Sequence, residues 1–313
     1  MKQGLSLELA PMEGITTYIY RQALNRHFGG IDVYYSPFIE THINKEMSYK
    51  EINDIKPENN EGMNFIPQIL TNDAESFSRT TKKIAEYGYN TFNLNLGCPS
   101  GTVTAKHRGA GMLQDVKELD RLLDGIFSKT DYEISIKTRI GYEFENEWED
   151  ILEIYSKYPI SKLIVHPRVR EDFYKGKPRL EAVKLAFEVS KDKFPIVYNG
   201  DVISESSFEK IIGEFTQLHG VMLGRGIIAN PSLGAEISGC IADLNFKNKF
   251  RAFHDELLEE YQRIMPGDKP VLFKMKELWS YMYVMLENPE KSLKKIRKCE
   301  SCSAYKAVVN AML

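Results

Sequence analysis

Cys98 follows Asn95-Leu96-Gly97, precedes Pro99, and enters a stretch with glycines at 101, 109 and 111. An unperturbed thiol has a pKa of about 8.5, so at neutral pH it is largely protonated and can act as an acid. A lone cysteine is more often an inert core residue. The glycine-rich setting favours a reactive one here. Lys106, His107 and Arg108 follow in a row between glycines, which reads either as a segment that closes over a bound molecule or as a solvated charge run. Gln68 offers an amide donor and acceptor suited to the edge of a flat heterocycle. Lys137 ends the apolar run Ile134-Ser135-Ile136, where a lysine can stabilise negative charge on a ring and a plain surface role is disfavoured. Asn199-Gly200-Asp201 alone is a tight turn. With Gly224-Arg225-Gly226 one unit later it reads as a phosphate site, with glycines for close backbone approach and Arg225 for charge.

These residues need elements to position them. Apolar, β-branched runs predict strands at 5–10, 33–39, 65–70, 91–96, 134–138, 163–165, 196–198 and 221–223. The intervals leave room for helices. Asp115 with Glu118, and Asn72 with Glu75, read as helix N-caps followed three residues later by an acid. Continuous apolar strands suit a parallel sheet covered on both faces. Eight βα units predict an α/β fold, a (β/α)₈ TIM barrel, and no G-x-G-x-x-G opens the chain as in a dinucleotide-binding sheet. In a barrel, chemistry collects at the C-terminal strand ends. Those ends read Pro11-Met12-Glu13, Gln68, Asn95 to Pro99, Lys137-Thr138-Arg139, His166-Pro167-Arg168, Asn199-Gly200-Asp201 and Gly224-Arg225-Gly226.

The 313 residues hold one barrel (1–240) and a small helical domain (241–313). With 42% hydrophobic and 27% charged residues, a full core is available and the composition argues against disorder. No run approaches a membrane span, no export signal opens the chain, and four cysteines are too few for a disulfide scaffold, so a cytoplasmic protein is expected. Cys299-x-x-Cys302 lacks a second ligand pair, so no metal is expected. The net charge is −3, yet residues 245–313 carry 13 Lys/Arg against 9 Asp/Glu. A basic module on an acidic body points to a polyanionic partner.

Together, APMEGITTYIYR, NLNLGCPSGTVTAKHRGAGML, SIKTRIG, HPR, YNGD and GRGIIANP resemble, in order over residues 9 to about 233, the tRNA-dihydrouridine synthases. The resemblance implies FMN as cofactor, NADPH as reductant and tRNA as substrate, bound in part by the helical domain. It implies that Pro11, Met12 and Glu13 lie against the flavin ring, that Gln68 and Lys137 bind the ring, and that His166, Asn199, Gly200, Asp201, Gly224 and Arg225 surround the ribityl phosphate. Cys98 matches the catalytic cysteine and Asn95 the residue near the target uracil. Lys106, Arg139, Arg168 and Tyr174 fall where the family meets its substrate. Thr17 and Glu13 depart from the family pattern, where Asp and Ala are common, and bear on subgroup. A monomer is expected.

Mechanistically the resemblance implies hydride delivery to C6 of an unstacked uracil and protonation of C5 by Cys98, with Asn95 and Arg139 stabilising the enolate-like charge between. A flavin barrel reducing a free pyrimidine and a non-catalytic tRNA-binding module are the alternatives. A phosphosugar enzyme fits less well, because no acid–base carboxylate pair caps the strands.

Overall fold

A computed structural model describes residues 4–42, 45–191, 193–239 and 245–313. Ten strand segments form one all-parallel sheet: β1 (Ser6–Leu9), β2 (Val33–Tyr35), β3 (Ile39–Glu40), β4 (Phe65–Ile66), β5 (Gln68–Leu70), β6 (Thr91–Leu96), β7 (Glu133–Arg139), β8 (Lys162–His166), β9 (Ile196–Tyr198) and β10 (Gly220–Leu223). β1 pairs with both β10 and β2, β2 with β4, and β3 with β5, which continues to β6. The sheet closes because β2/β3 and β4/β5 are each one barrel strand interrupted by a proline. Pro37 and Pro67 have no N–H to donate. Across the gap the Ser36 amide donates to Ile66 O at 3.2 Å, and the Gln68 amide donates to Ser36 Oγ at 2.9 Å. All eight predicted strands are therefore present, and the barrel is as expected.

Alternation along each strand separates two cores. Leu7, Leu9, Leu94, Leu96, Ile134, Ile136, Leu163 and Val165 pack outward under the helices. Ala10, Val33, Tyr35, Ile66, Ile164, Val197 and Met222 form a second cluster inside the barrel. The polar residues sharing the inner register are joined in layers. At the bottom, fully buried Glu8 accepts from Tyr35 Oη (2.8 Å) and Lys162 Nζ (2.6 Å). Above, Asn93 Nδ2 donates to Ser135 Oγ at 2.8 Å. Lys137 and His166 continue the same register to the open end.

Asp115 caps its helix as expected, accepting from the Lys117 and Glu118 amides. The expected cap at Asn72 is corrected by one residue. Asp73 accepts from the Ser76 amide, and Asn72 instead reaches Lys106 O and Arg108 Nε.

Described residues after 245 contain no strand. Helices Phe246–Ile264, Asp268–Met282, Pro289–Arg297 and Cys302–Asn310 form a bundle. The proposed boundary at 240/241 lies outside the described residues. The first of these helices docks on Tyr18–His27 of the barrel: Phe253 meets Tyr20 and Phe28 edge-on at 5.6 and 5.5 Å, and Glu256 pairs with Arg26 and His27. Lys274 Nζ donates to Gly14 O at 2.8 Å. Cys299 and Cys302 are free, buried core residues. Among the described residues no helix is long and apolar enough to cross a membrane, and no cluster of His, Cys, Asp and Glu could hold a metal.

A buried relay organises this bundle. Trp279 Nε1 can only donate, so Tyr305 Oη accepts from it at 2.6 Å and donates to His254 Nε2 at 2.6 Å. His254 Nδ1–H then donates to Asp255 at 2.9 Å. Tyr305→Phe leaves two buried groups unmet and should cost about 2 kcal/mol. The urea midpoint should fall with the m-value unchanged.

Candidate active site

The open end of the barrel brings Pro11, Met12, Lys137, His166, Tyr174, Asn199, Gly200, Asp201, Gly224 and Arg225 around one cavity. Five strand ends and one loop supply them. The Met12 amide donates to Thr16 Oγ1 at 2.8 Å, which fixes the turn after β1. Asn199 Nδ2 is anchored on Met222 O at 2.9 Å. Gly200 must be glycine, since a Cβ there would sit 1.9 Å from Tyr198 Oη. Asp201 bridges two arginines, Arg168 and Arg225. Burial works against its charge, but the hydrogen bond and charge of Arg168, and then Arg225, hold it below the usual carboxylate range.

The Lys137 ammonium makes no hydrogen bond or ion pair among the described residues. Desolvation, and then the positive charge of Arg139, push its pKa down to about 7. His166 is held well below the usual imidazole range by burial and by the surrounding cations Arg139, Lys137, Arg168 and Arg225, so it is neutral. Glycine-lined turns and an unmatched ammonium beside Arg225 are a setting in which an anionic group can be held.

Cys98 stands at the end of β6, half-buried. Its turn is held by Asn95, whose Oδ1 accepts from the Gly97 (3.1 Å) and Cys98 (3.0 Å) amides. Asn95 Nδ2 donates to Gln68 Oε1 at 2.8 Å, and Gln68 Nε2 donates to Asn93 Oδ1 at 2.7 Å. The chain ends on Ser135, so the cysteine turn is bolted to the barrel interior. Burial pushes the Cys98 thiol up, helped by Glu13 and opposed by the Ser100 amide, Arg139 and Lys137. The proton therefore stays on sulfur at neutral pH. Gly109, at φ +56°, lies where a Cβ would come 2.9 Å from Cys98 Cβ.

Several expected contacts are relocated. The loop after Cys98 is not an open lid: Gly109 to Leu113 are buried, and Lys106 and Arg108 both pair with Glu40. Gln68 is fully buried, with both ends of its amide bonded inside the barrel. Glu13 turns away from the cavity into a neighbouring cleft with Phe38, His42 and Lys50. Arg139 and Arg168, expected at the substrate, are 1% and 0% exposed. Arg139 donates to Gly97 O, Val169 O and Phe173 O at 3.0, 2.9 and 2.7 Å. Arg168 donates to Lys175 O and Gly176 O besides Asp201. Both hold the 169–176 loop. That loop carries Tyr174, half exposed, whose ring lies 5.5 Å from the Arg139 and 4.9 Å from the Arg225 guanidinium carbon.

Two residues escaped the sequence reading. Asn93 links Gln68 to Ser135, and its place two residues before Asn95 in an inner register was the available signal. Arg170 donates to Pro99 O at 3.2 Å and Thr104 Oγ1 at 3.3 Å, tying the same loop to the cysteine segment. No spacing announced it.

The unmatched Lys137 has a thermodynamic signature. Folding near neutral pH must desolvate its charge or release its proton, and that cost is full below pH 7 and fades as pH rises toward the ordinary lysine value of 10.5. Lys137→Met should raise the Tm of the ligand-free protein by a few degrees, on the order of what 1 kcal/mol gives. The gain measured by thermal unfolding should shrink between pH 7 and pH 10.

A family model described as Dihydrouridine synthase (Dus) matches residues 8–306. The tRNA-dihydrouridine synthase B of Pasteurella multocida is 26% identical over 228 residues, 72% of this chain and 66% of that protein. The tRNA-dihydrouridine(16) synthase of Pseudomonas syringae pv. tomato is 27% identical over 241 residues, 75% of each. The chain thus spans roughly two thirds to three quarters of these relatives' lengths. Among solved structures, the DHODH of Eimeria tenella in complex with ferulenol superposes with a TM-score of 0.53 at 12% identity, covering 79% of this chain and 82% of that one. Morphinone reductase gives 0.52 at 10% identity, covering 76% and 86%. These likenesses speak for the barrel. The match over nearly the whole chain goes further, and with it the chain belongs to the dihydrouridine synthase (Dus) family of oxidoreductases.

Proposed function

We propose that this protein reduces a uridine of tRNA to 5,6-dihydrouridine with FMN as cofactor and NADPH as reductant. The observation that carries the reading is the unpaired Lys137 ammonium in a glycine-lined cavity beside a protonated thiol. The residues present fit FMN. Lys137 would face the electron-rich ring, Pro11 and Met12 would wall it, and the turns at Asn199–Asp201 and Gly224–Arg225 would take the phosphate. His166, kept neutral, would offer a hydrogen bond there without adding charge. Bound FMN would supply the hydride for C6 of the uracil.

The rest falls to the chain. A uridine must leave its stack to reach a barrel mouth. Cys98 holds its proton and delivers it to C5, and its raised pKa keeps that acid loaded across the neutral range. Asn95 sets the thiol's position through the Gly97 and Cys98 amides. Arg139 and Arg170 fasten the loop of Tyr174 to the same segment, which closes the wall around the base.

The polyanion is met by the helical domain. Lys291, Lys294, Lys295 and Lys298 lie along one face of the helix Pro289–Arg297 and its end, all exposed, with Leu293 and Ile296 buried on the other. A row of cations at helical spacing follows a phosphate backbone. With tRNA as substrate, cytoplasmic residence follows.

The deciding experiment incubates the purified protein with unmodified tRNA and NADPH and searches nucleoside digests for dihydrouridine by mass spectrometry. Dihydrouridine at one defined position is expected. A yellow protein that forms none, but reduces free pyrimidines, would overturn the reading. Cys98→Ala should keep its flavin and lose about a hundredfold or more in turnover, the usual contribution of a general acid. Replacing Lys291, Lys294, Lys295 and Lys298 by Ala should weaken tRNA binding and lower the slope of log affinity against log salt by roughly three. Both are read by filter binding across a salt series.

A further inference from the structure

Among the described residues that line the active-site cavity, Asp201 is the one carboxylate, set beside Lys137, His166 and Arg225. Two arginines share it, and they hold it differently. Buried Arg168 grips both oxygens: Nη1 donates to Oδ1 at 3.1 Å, and Nη2 donates to Oδ2. The same guanidinium donates to Lys175 O at 3.1 Å and Gly176 O at 2.6 Å, so this pair belongs to the frame of the loop. A buried cation that loses its carboxylate leaves an uncompensated charge.

Arg225 adds one bond, from Nη2 to Oδ1 at 2.6 Å. Its side chain is 39% exposed and lines the cavity. Its other hold is the ring of Tyr174, 4.9 Å from the guanidinium carbon and itself half exposed. If Arg225 turns away, Oδ1 keeps Arg168 Nη1 and Oδ2 keeps Arg168 Nη2, so no oxygen of Asp201 is stranded. A half-exposed ion pair contributes little to a fold. The guanidinium of Arg225 is therefore transferable, and that of Arg168 is not.

Carboxylate and phosphate offer a guanidinium the same kind of acceptor. Placed together they compete for it, and they repel each other. We propose that Asp201 is an internal competitor for Arg225, from which the phosphate of the flavin takes this guanidinium over. Asp201 thus lowers affinity for a phosphorylated flavin and leaves an unphosphorylated one untouched. It sets how far FMN is preferred over riboflavin, and the site becomes more selective for phosphate when the carboxylate is removed. The proposal rests on the reading of FMN as cofactor.

The test titrates the full-length protein, freed of flavin, with FMN and with riboflavin, following the quenching of flavin fluorescence. Asp201→Asn keeps the shape and an acceptor for Arg168. It should lower Kd for FMN about fivefold, the upper range for a half-exposed pair, with riboflavin unchanged. Arg225→Gln should raise Kd for FMN about tenfold, again with riboflavin unchanged. In the Arg225→Gln background, Asp201→Asn should have almost no effect on FMN. An unchanged or raised Kd for FMN in Asp201→Asn overturns the proposal, making Asp201 a residue that merely orients Arg225. The same gain in the Arg225→Gln background, or an equal gain for riboflavin, overturns it as well. If Asp201→Asn does not fold, Arg225→Gln decides. Its Tm should stay within about two degrees of the parent, because Arg168 keeps Asp201. A larger fall makes the pair structural and overturns the exchange. If the parent binds neither flavin, the reading of FMN as cofactor has failed separately. Inorganic phosphate is then the probe, through the rise in Tm that it gives. A rise no larger in Asp201→Asn than in the parent, or one that persists in Arg225→Gln, overturns the proposal.

Discussion

A closed barrel gives each strand only an inside and an outside, and the inside is too narrow for water to serve every polar group placed there. Each inward polar residue must find its partner among neighbouring strands. This protein meets that constraint in ascending layers. Glu8, Tyr35 and Lys162 neutralise one another at the bottom, and Ser135, Asn93, Gln68 and Asn95 form a chain of amides above. The layering stops one step short of the mouth. Lys137 and His166 occupy the next inward positions; His166 Nε2 meets the Arg168 guanidinium at 3.2 Å, but the Lys137 ammonium has no partner among the described residues. At Lys137 the interior leaves its own rule unfulfilled.

The arginines perform the complementary task outside the lumen. Arg139, Arg168 and Arg170 direct most of their donors to carbonyls of turns, with Asp201 the one carboxylate that Arg168 grips. A planar fork with five donors can hold several turns at once, and a lysine could not do the same. The loop they gather includes Phe173, whose φ of +52° is a conformation that a bulky residue adopts only when its surroundings insist. Arg139 supplies part of that insistence through the Phe173 carbonyl. Cys98 and Tyr174, 76 residues apart in sequence by their numbers, thus share one frame.

Much of this was legible in the sequence because the relevant signals are local. Apolar β-branched runs mark strands, and a strand end marks a barrel mouth, so Lys137, His166, Asn199–Asp201 and Gly224–Arg225 could be placed around one cavity before any coordinates. What was not legible is the direction of long side chains. Arg139 and Arg168 sit at strand ends like the others, but whether a guanidinium reaches into the cavity or back to loop carbonyls depends on turns that have no sequence code. The same holds for Glu13, which lines the neighbouring cleft. The breaks at Pro37 and Pro67 split two strands that the apolar pattern ran straight through.

Lys274 spans the two halves of the molecule with a single ammonium on the Gly14 carbonyl, its other contact being Glu277 on its own helix. Gly14 follows the turn that sets Pro11 and Met12 against the cavity. The wall of the cavity is therefore tied to the helical bundle as well as to β1. A displacement of the helix Asp268–Met282 is therefore felt at that wall directly through this charge–dipole contact, besides whatever the aromatic seam of Phe253 with Tyr20 and Phe28 passes on.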